Sequence, residues 1–346
     1  MGLFGRNKLS AGLDIGSGFV KLVVIDHSKS EPEIVQVATS PLVPDAIVEG
    51  EVMDPALVAA TVRSLVDSSG LKRKDVVAAV GGHDVIIKRI QMDRMSQNDA
   101  REVIRWEAEQ HVPFDMENVQ LDFQILDPDG DGVQMQVLLV AAKRELIENR
   151  MSLLADAGLT PTMIDVDAFA LHNAFELNYP DAMSGMVALV NIGHDVTNIN
   201  ILEDGVPILT RDLTLGTRHF REALQKERGL GAEESDQLLQ GFDRSPHVDA
   251  VLETRGEEIA VGIERAVAFI ASNTRGGASI RATYACGGGS RVPGLTEALG
   301  ARLRIESHLA NPLAALSVRD GAMDNLVTDE VAPLLMLPIG LALRTV

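Results

Sequence analysis

Asp14, Gly16, Ser17, Gly18 and Lys21 crowd into one short stretch, "DIGSGFVK", set between two apolar runs. A glycine-rich turn bares backbone N–H groups that can form an anion-binding nest. Glycine also lets a ligand approach the backbone closely, or lets the chain adopt φ > 0. The carboxylate of Asp14, just ahead of the turn, is badly suited to meet a phosphate directly. It is suited to a Mg²⁺ ion held through water, because Mg²⁺ keeps much of its hydration shell. Lys21 stands in an otherwise apolar strand, where an ammonium without a partner is costly. A phosphate would supply its counter-charge. Read alone, the stretch stays open between a phosphate-binding turn and a plain hairpin with a solvent-facing lysine.

Two common phosphate motifs do not describe it. A P-loop needs G-x-x-x-x-G-K-[ST] opening a helix, whereas Leu22 follows Lys21 and the pattern continues as a strand. A dinucleotide fingerprint needs a third glycine where Val20 and Lys21 stand. An internal echo is more informative. "ALVNIGHDVTNINIL" sets Asn191-Ile192-Gly193 against Asp14-Ile15-Gly16, and Asn198 against Lys21. Each copy opens a mixed α/β segment, and such similarity reports duplicated architecture. The expectation is a duplicated domain with a cleft between the copies. A further cluster, Gly287-Gly288-Gly289, follows the strand-like "RATYAC" and precedes a helical pattern at Val292, Leu295, Leu299 and Leu303. Bare glycines there would admit a flat ring or a ribose, or would simply make a tight strand-to-helix turn.

The elements that must hold these residues alternate between strand and helix. Residues 9–26 read as strand, turn, strand, and 34–42 as a third strand. Leu57, Val58, Thr61, Val62, Leu65 and Val66 share one helical face. Asp54 is the expected N-cap, Pro55 the first helical residue and Gly70 the stop. "KDVVAAVGG" follows as a buried strand. From 83 to 161 the order is β-α-β-β-α, compact enough for an inserted subdomain. Its first helix is capped by Ser96 and turns Val103, Ile104, Ala108 and Val112 inward. "RELIENRMSLLADAGL" is its second helix. "DPDGDG" between its strands is a hairpin turn and not a calcium loop, which would need flanking helices and a Glu about six residues after its Gly. The second half repeats three strands, with "EDG" as a hairpin turn, and continues through a mostly helical 223–269.

Composition bounds the rest. At roughly 100–200 residues per domain, 346 residues suggest two or three domains. Fifty acidic residues against 31 basic give a net charge of −19. That argues against nucleic acid and against an anionic membrane, both of which call for basic patches, and admits a basic protein partner. Cys286 is the single cysteine, which fits a reducing cytoplasm; its place in an apolar strand makes it a packing residue. "MGLFGRNK" lacks the apolar run of a secretory signal and the Ser or Thr of a myristoylation site. "VAPLLMLPIGLAL" is 13 residues long, against the ~20 of a membrane-spanning helix. The expectation is a cytoplasmic protein that a partner brings to any membrane where it works.

In this order the motifs resemble those of the actin-like ATPase superfamily. "DIGSGFVK" looks like its first phosphate loop, "NIGHDVT" its second and "CGGGSRVPGL" its adenosine loop. "DVDAFALHNAF" and "LPIGLALR" are similar to its connecting helices. The 83–161 insertion resembles that of the FtsA and PilM families. The phrase "VEGEVMDPALVAATVRSL", the start "GLFGRNK" and the ending "LPIGLALRTV" resemble the PilM family of type IV pilus assembly proteins. The resemblance implies an actin-like, ribonuclease H-like two-lobed α/β fold. It divides the chain into a first-lobe core (9–82, 162–182 and 324–346), the inserted subdomain (83–161), a second-lobe core (183–222 and 270–323) and a helical subdomain (223–269). It further implies ATP and Mg²⁺ as ligands. The partner would be the cytoplasmic N-terminus of PilN, held between the inserted subdomain and the first lobe. PilO and PilP would be linked through PilN, and contact with pilus motor ATPases is admitted.

The resemblance also assigns roles. Asp14 would orient Mg²⁺-bound waters, Gly16, Ser17 and Gly18 would hold phosphate, and Lys21 would neutralise it. Asn191, Gly193, Asp195 and Thr197 would close over the other side, and Gly287, Gly288 and Gly289 would border the adenosine. Asp165 falls where relatives place a group that positions the attacking water; its other reading is a cap for the following helix. Asn191 departs from the usual Asp, and an amide cannot accept a proton, so ATP is expected to bind and to turn over slowly or incidentally. His194 reads as a turn residue, and Trp106 either packs in the inserted subdomain's core or faces a partner. The functions that compete are an FtsA-like division scaffold, which would want a C-terminal amphipathic helix, and an actin-fold metabolic kinase, which would want a further carboxylate deep in the cleft.

Overall fold

The computed structural model describes residues 9–240, 245–273, 278–324 and 326–345; the start "GLFGRNK" and part of the helical 223–269 segment lie outside them. The first lobe begins with β1 (Leu9–Ile15), β2 (Phe19–Asp26), β3 (Glu33–Pro41), the small hairpin β4 (Ile47–Val48) and β5 (Glu51–Val52), α1 (Pro55–Ser69) and β6 (Asp75–Val80). Next come β7 (Val85–Asp93), α2 (Gln97–Glu109), β8 (Val119–Ile125), β9 (Gln134–Lys143), α3 (Arg144–Asp156), β10 (Thr160–Val166) and α4 (Asp167–Asn178). The second lobe carries β11 (Met186–Ile192), β12 (Thr197–Glu203), β13 (Val206–Leu213), α5 (Thr217–Arg228), α6 (Ala232–Gln240), α7 (Pro246–Val251), α8 (Glu257–Asn273), β14 (Ala282–Cys286), α9 (Leu295–Leu303) and β15 (Glu306–Leu309). The chain closes with β16 (Ser317–Val318), α10 (Thr328–Val331) and α11 (Met336–Ala342).

Local chemistry explains the boundaries. The Asp54 carboxylate accepts from the Leu57 N–H at 3.0 Å, Pro55 opens α1, and Gly70 ends it in the left-handed region at φ 75°. Val58, Ala59, Val62, Leu65 and Val66 are its buried face. The turn at Asp204 and Gly205 has both residues at positive φ, 49° and 77°, as a tight hairpin with right-twisted strands needs. Arg94 holds the "DPDGDG" turn, donating to the Asp127 carboxylate at 2.6 Å and to the Gly132 carbonyl at 2.8 Å.

The two large sheets run β10-β6-β1-β2-β3-β16 and β13-β12-β11-β14-β15. In each, three consecutive strands pair antiparallel, then two more pair parallel on the far side of the first. Five strands of each half therefore match, as the echoed motifs led one to expect, and among the described residues β16 at the edge of the first sheet has no counterpart in the second. Among the described residues α4 and α11 lie between the sheets. Ala170, Leu171, Ala174 and Phe175 of α4 and Met336, Ile339 and Leu341 of α11 share one core with Val23 and Val77 of one sheet and Val187 and Leu189 of the other. Helices α1 and α3 cover the outer face of the first sheet, and α5, α7, α8 and α9 that of the second. The central helices approach without side chains: a β-carbon on Gly340 would lie 1.7 Å from the Ala170 carbonyl oxygen, and one on Gly12 would lie 2.1 Å from that of Pro338.

Three features differ from the sequence reading. The inserted unit is a three-stranded sheet, β7-β9-β8, backed by α2. Helix α3, assigned to that unit by its order in the chain, packs on α1, β6 and β10 and buries Leu153 and Leu154 in the first-lobe core. Ser317 and Val318, placed in the second lobe, pair with Glu33 and Ile34 at the edge of the first sheet. Trp106 does not join the core of the inserted unit; it is 71% exposed on α2, whose buried face is Ala100, Ile104 and Ala108.

Replacing Gly340 by Val forces α4 and α11 apart. The expected cost is about 3 kcal/mol or more, the upper end of overpacking. Urea denaturation of the variant against the unchanged protein measures it.

Candidate functional site

The hairpins β1–β2 and β11–β12 have the same closure. The Gly16 N–H donates to the Phe19 carbonyl at 3.1 Å, and the Gly193 N–H to the Val196 carbonyl at 2.9 Å. Asp14 faces Lys21 across the first pair of strands, and Asn191 faces Asn198 across the second. The two turns meet tip to tip, since a β-carbon on Gly18 would lie 3.0 Å from Cβ of His194. Neither Gly16 nor Gly18 has positive φ, so glycine serves close approach here and not an unusual backbone.

The charges around the first hairpin are arranged differently from the sequence expectation. The Lys21 ammonium donates to the Asp14 carboxylate, so the protein supplies the counter-charge that a phosphate was expected to bring. Ser17 lies at the turn between the two strands.

The triple glycine sits at the end of β14. A β-carbon on Gly287, at φ 82°, would fall 2.5 Å from Oδ1 of Asn191, and one on Gly289 would fall 2.2 Å from Ile192. Gly287 and Gly289 are thus consumed by packing on the second hairpin. Gly288 is the open one: among the described residues a β-carbon there would meet only Leu334, at 3.7 Å. Thr197 is buried and its hydroxyl donates to the Leu215 carbonyl at 2.6 Å. Asp195 is buried too; its Oδ2 accepts from the Glu49 N–H of the opposite lobe at 3.2 Å, and its Oδ1 has no hydrogen-bond donor among the described residues. His194 bonds the Thr217 hydroxyl at 3.1 Å, and burial pushes its pKa down, against the pull of Asp195. Burial raises the Cys286 thiol to about 12, which keeps it protonated as a packing residue.

Asp165 does not reach this cleft. Its carboxylate is held by the Arg344 guanidinium at 2.7 and 3.2 Å, on the far side of β10, in a separate groove. It does not cap α4 either, because no side chain caps that helix. The carboxylate that the β10–α4 junction turns toward Asp14 is Asp167. Burial, and then the Asp14 charge, raise its pKa to about 7. Arg150 of α3 opposes that shift, and burial lowers the pKa of Arg150 itself. From the other lobe, Asp212 accepts from the Asn198 amide at 2.6 Å and is raised by burial. Oδ1 of Asn198 is buried without a donor among the described residues. Asn198 was matched to Lys21 in the sequence without a role, and Arg150, Asp167 and Asp212 were not singled out as site residues; an acid as first residue of the helix after a strand was the available signal for Asp167.

Contacts between the lobes close the cleft: Arg218 to Asp45 at 2.8 Å, Arg89 of β7 to Glu203 at 2.7 Å, and the Asn200 amide to the Ala168 carbonyl at 3.0 Å. The separate groove has a volume of about 930 Å³ and lies between the inserted sheet and α4. Leu138, Val140, Ile164 and Phe169 give it an apolar floor, and Asp122, Glu176 and Arg344 stand along it. The Nδ2 donor of Asn173 in its wall is buried without an acceptor among the described residues.

Among the described residues no cluster of three or more His, Cys, Asp or Glu side chains is set to hold a metal, and no helix is long and apolar enough to cross a membrane. The sequence model of the type IV pilus assembly protein PilM family matches residues 12–346. A solved PilM-PilN type IV pilus biogenesis complex is similar to this chain at 28% identity over 98% of it and 99% of the other chain, with a TM-score of 0.84. The ethanolamine utilization protein EutJ from Carboxydothermus hydrogenoformans is similar at 20% identity, covering 98% of this chain and 92% of that one, with a TM-score of 0.57. MreB 5 of Spiroplasma citri bound to AMPPNP follows at 10% identity over 97% and 95%, with a TM-score of 0.51. These last two likenesses speak to the fold, which is that of the actin-like ATPases.

A carboxyl raised from 3.8 to about 7 binds its proton more tightly folded than unfolded. It therefore takes stability away as pH rises from about 4 to 7. Asp167→Asn removes that dependence. The variant should match the unchanged protein at pH 4 and exceed it at pH 8 by about 1–2 kcal/mol, the full shift being discounted for solvent access. Chemical denaturation at the two pH values reads the difference.

Proposed function

The chain belongs to the PilM family of type IV pilus assembly proteins, and on that premise we propose that it is a nucleotide-bound adaptor. ATP with Mg²⁺ is held between the lobes, and the cytoplasmic N-terminal segment of a PilN partner lies in the groove beside α4. The observation that carries the nucleotide half is the meeting of two hairpins of identical closure, one from each lobe, beside the open Gly288. The backbone of Gly16, Ser17 and Gly18 with Lys21 would hold phosphate from one side and Gly193 from the other. Asp14 would meet the hydration shell of Mg²⁺, and the donorless Oδ1 of Asn198 suits a water of that shell. Mg²⁺ would supply charge neutralisation to the phosphates. Lys21 must then be shared between Asp14 and phosphate.

Binding is favoured over turnover in this reading. Asn191 and Asn198 are neutral where the first hairpin has a carboxylate and an ammonium, and Asp165 is tied to Arg344. The likeness to a PilM-PilN complex supports the groove half. The apolar floor would take the side chains of an extended segment, and the Asn173 amide would donate to one of its backbone carbonyls. The protein would then work in the cytoplasm, peripheral to the inner membrane through PilN, with PilO and PilP linked indirectly and motor ATPases as further contacts.

Lys21→Ala should weaken Mg·ATP binding at least tenfold by calorimetry while the near-ultraviolet circular dichroism is kept; unchanged affinity removes Lys21 from the site. Phosphate release from the purified protein should stay far below ~1 s⁻¹, a common enzyme scale, and steady release at that rate overturns the adaptor reading. A synthetic PilN N-terminal peptide should bind the unchanged protein and lose about tenfold on Asn173→Ala, with ATP affinity unaltered. Absence of peptide binding would favour a division scaffold or a kinase.

A further inference from the structure

A small hairpin of the first lobe reaches across to the second. Strands β4 and β5 pair Ile47 with Val52 and Val48 with Glu51, which leaves Glu49 and Gly50 as a two-residue turn. Both turn residues have positive φ, 52° and 91°, as the tight turns of such hairpins do. The base of the hairpin is fixed in its own lobe. Leu42, Ala46 and Ile47 are buried in the first-lobe core, and the Met53 and Asp54 N–H groups both donate to the Ala46 carbonyl, at 2.9 and 3.2 Å.

Two polar contacts carry the hairpin over the lobe boundary. The Glu49 N–H donates to Oδ2 of Asp195 at 3.2 Å, and the Arg218 guanidinium donates to Oδ1 of Asp45 at 2.8 Å. Each end is also tied to one of the glycine turns. The Leu42 N–H donates to the Gly18 carbonyl at 3.0 Å, and the Arg218 N–H to the His194 carbonyl at 2.9 Å. Asp45 has positive φ as well, 62°. Left-handed backbone at a residue other than glycine persists only where its surroundings hold it. Two of the four such residues among the described residues are therefore the two that touch the opposite lobe.

The other hydrogen bonds between the lobes lie elsewhere. The Asn200 amide and the Gly205 carbonyl bond to Ala168 and His172 of α4, the helix through which the chain passes from β10 to β11. Arg89 pairs with Glu203 from the inserted sheet. The hairpin contacts are weak enough to part. Asp45 is exposed, and exposed ion pairs are worth little. The bond to Asp195, which is buried, is shielded from water but is a single one. Both can break without unfolding either lobe, because the hairpin's base is packed independently of them.

We propose that residues 45–52 form a strap between the two turns, and that its release from Arg218 and Asp195 sets how fast a ligand enters or leaves the space between them. The identity of that ligand as Mg·ATP rests on the function proposed above. The strap as a contact that opens and closes does not.

Asp45→Ala, Arg218→Ala and the double variant test it. With the fluorescent nucleotide mant-ATP and Mg²⁺, stopped-flow measurements should show release and association both faster by about two- to fivefold in each variant, the range that an exposed ion pair allows. Affinity should stay within about twofold, and the double variant should match Arg218→Ala, because one contact can be lost only once. Hydrogen–deuterium exchange without nucleotide should be faster in all three at residues 45–53 and 194–197. Unchanged exchange overturns the strap. So do unchanged rates, additive effects in the double variant, or faster release with unchanged association, which would make the pair part of the binding surface. If mant-ATP does not bind the unchanged protein, the nucleotide reading falls, and the exchange comparison still decides the strap.

Discussion

At Gly340 a β-carbon would lie 1.7 Å from the Ala170 carbonyl oxygen, so α4 and α11 touch backbone to backbone between the two sheets. That contact sets how closely the lobes can face each other, and both candidate sites inherit their positions from it. The N-terminus of α4 delivers Asp167 beside Asp14 in the cleft, and the outer face of the same helix supplies Phe169, Asn173 and Glu176 to the groove. The end of α11 sends Arg344 back to Asp165. Close-packed interiors transmit such constraints because they deform little.

Electrostatics then distinguish the two jaws. The first carries a charged pair, Asp14 with Lys21; the second carries two amides, Asn191 and Asn198, in the corresponding register. The half-buried carboxyls at the base, Asp167 and Asp212, are both pushed up by desolvation. A crowded, partly neutral base of this kind is suited to enclosing a polyphosphate with its metal.

Much of this was legible before any coordinates. The duplicated hairpins, the cap at Asp54, the stop at Gly70 and the central helices follow from local patterns that tertiary packing did not need to override. What was not legible depended on direction, not element type. Asp165 and Asp167 are two residues apart, but the strand ends between them, and the change from strand to helix turns one into the groove and the other into the cleft. Helix α3 belongs to the first lobe because Leu153 and Leu154 enter its core beside α1, β6 and β10, and α1 and β6 lie far back in the chain, before the inserted sheet. Of the two readings open for Trp106, core or partner-facing surface, the helix period decides for the exposed side, opposite Ala100, Ile104 and Ala108. The glycines at 287 and 289 looked like room for a ligand and are instead filled by Asn191 and Ile192.

The central claim is that one nucleotide is gripped by both lobes at once. Hydrogen–deuterium exchange with and without saturating Mg·ATP addresses it most directly. The account predicts slowed exchange together at residues 15–20, 192–197 and 286–289. Protection confined to one lobe, or found only along the groove beside α4, would contradict it.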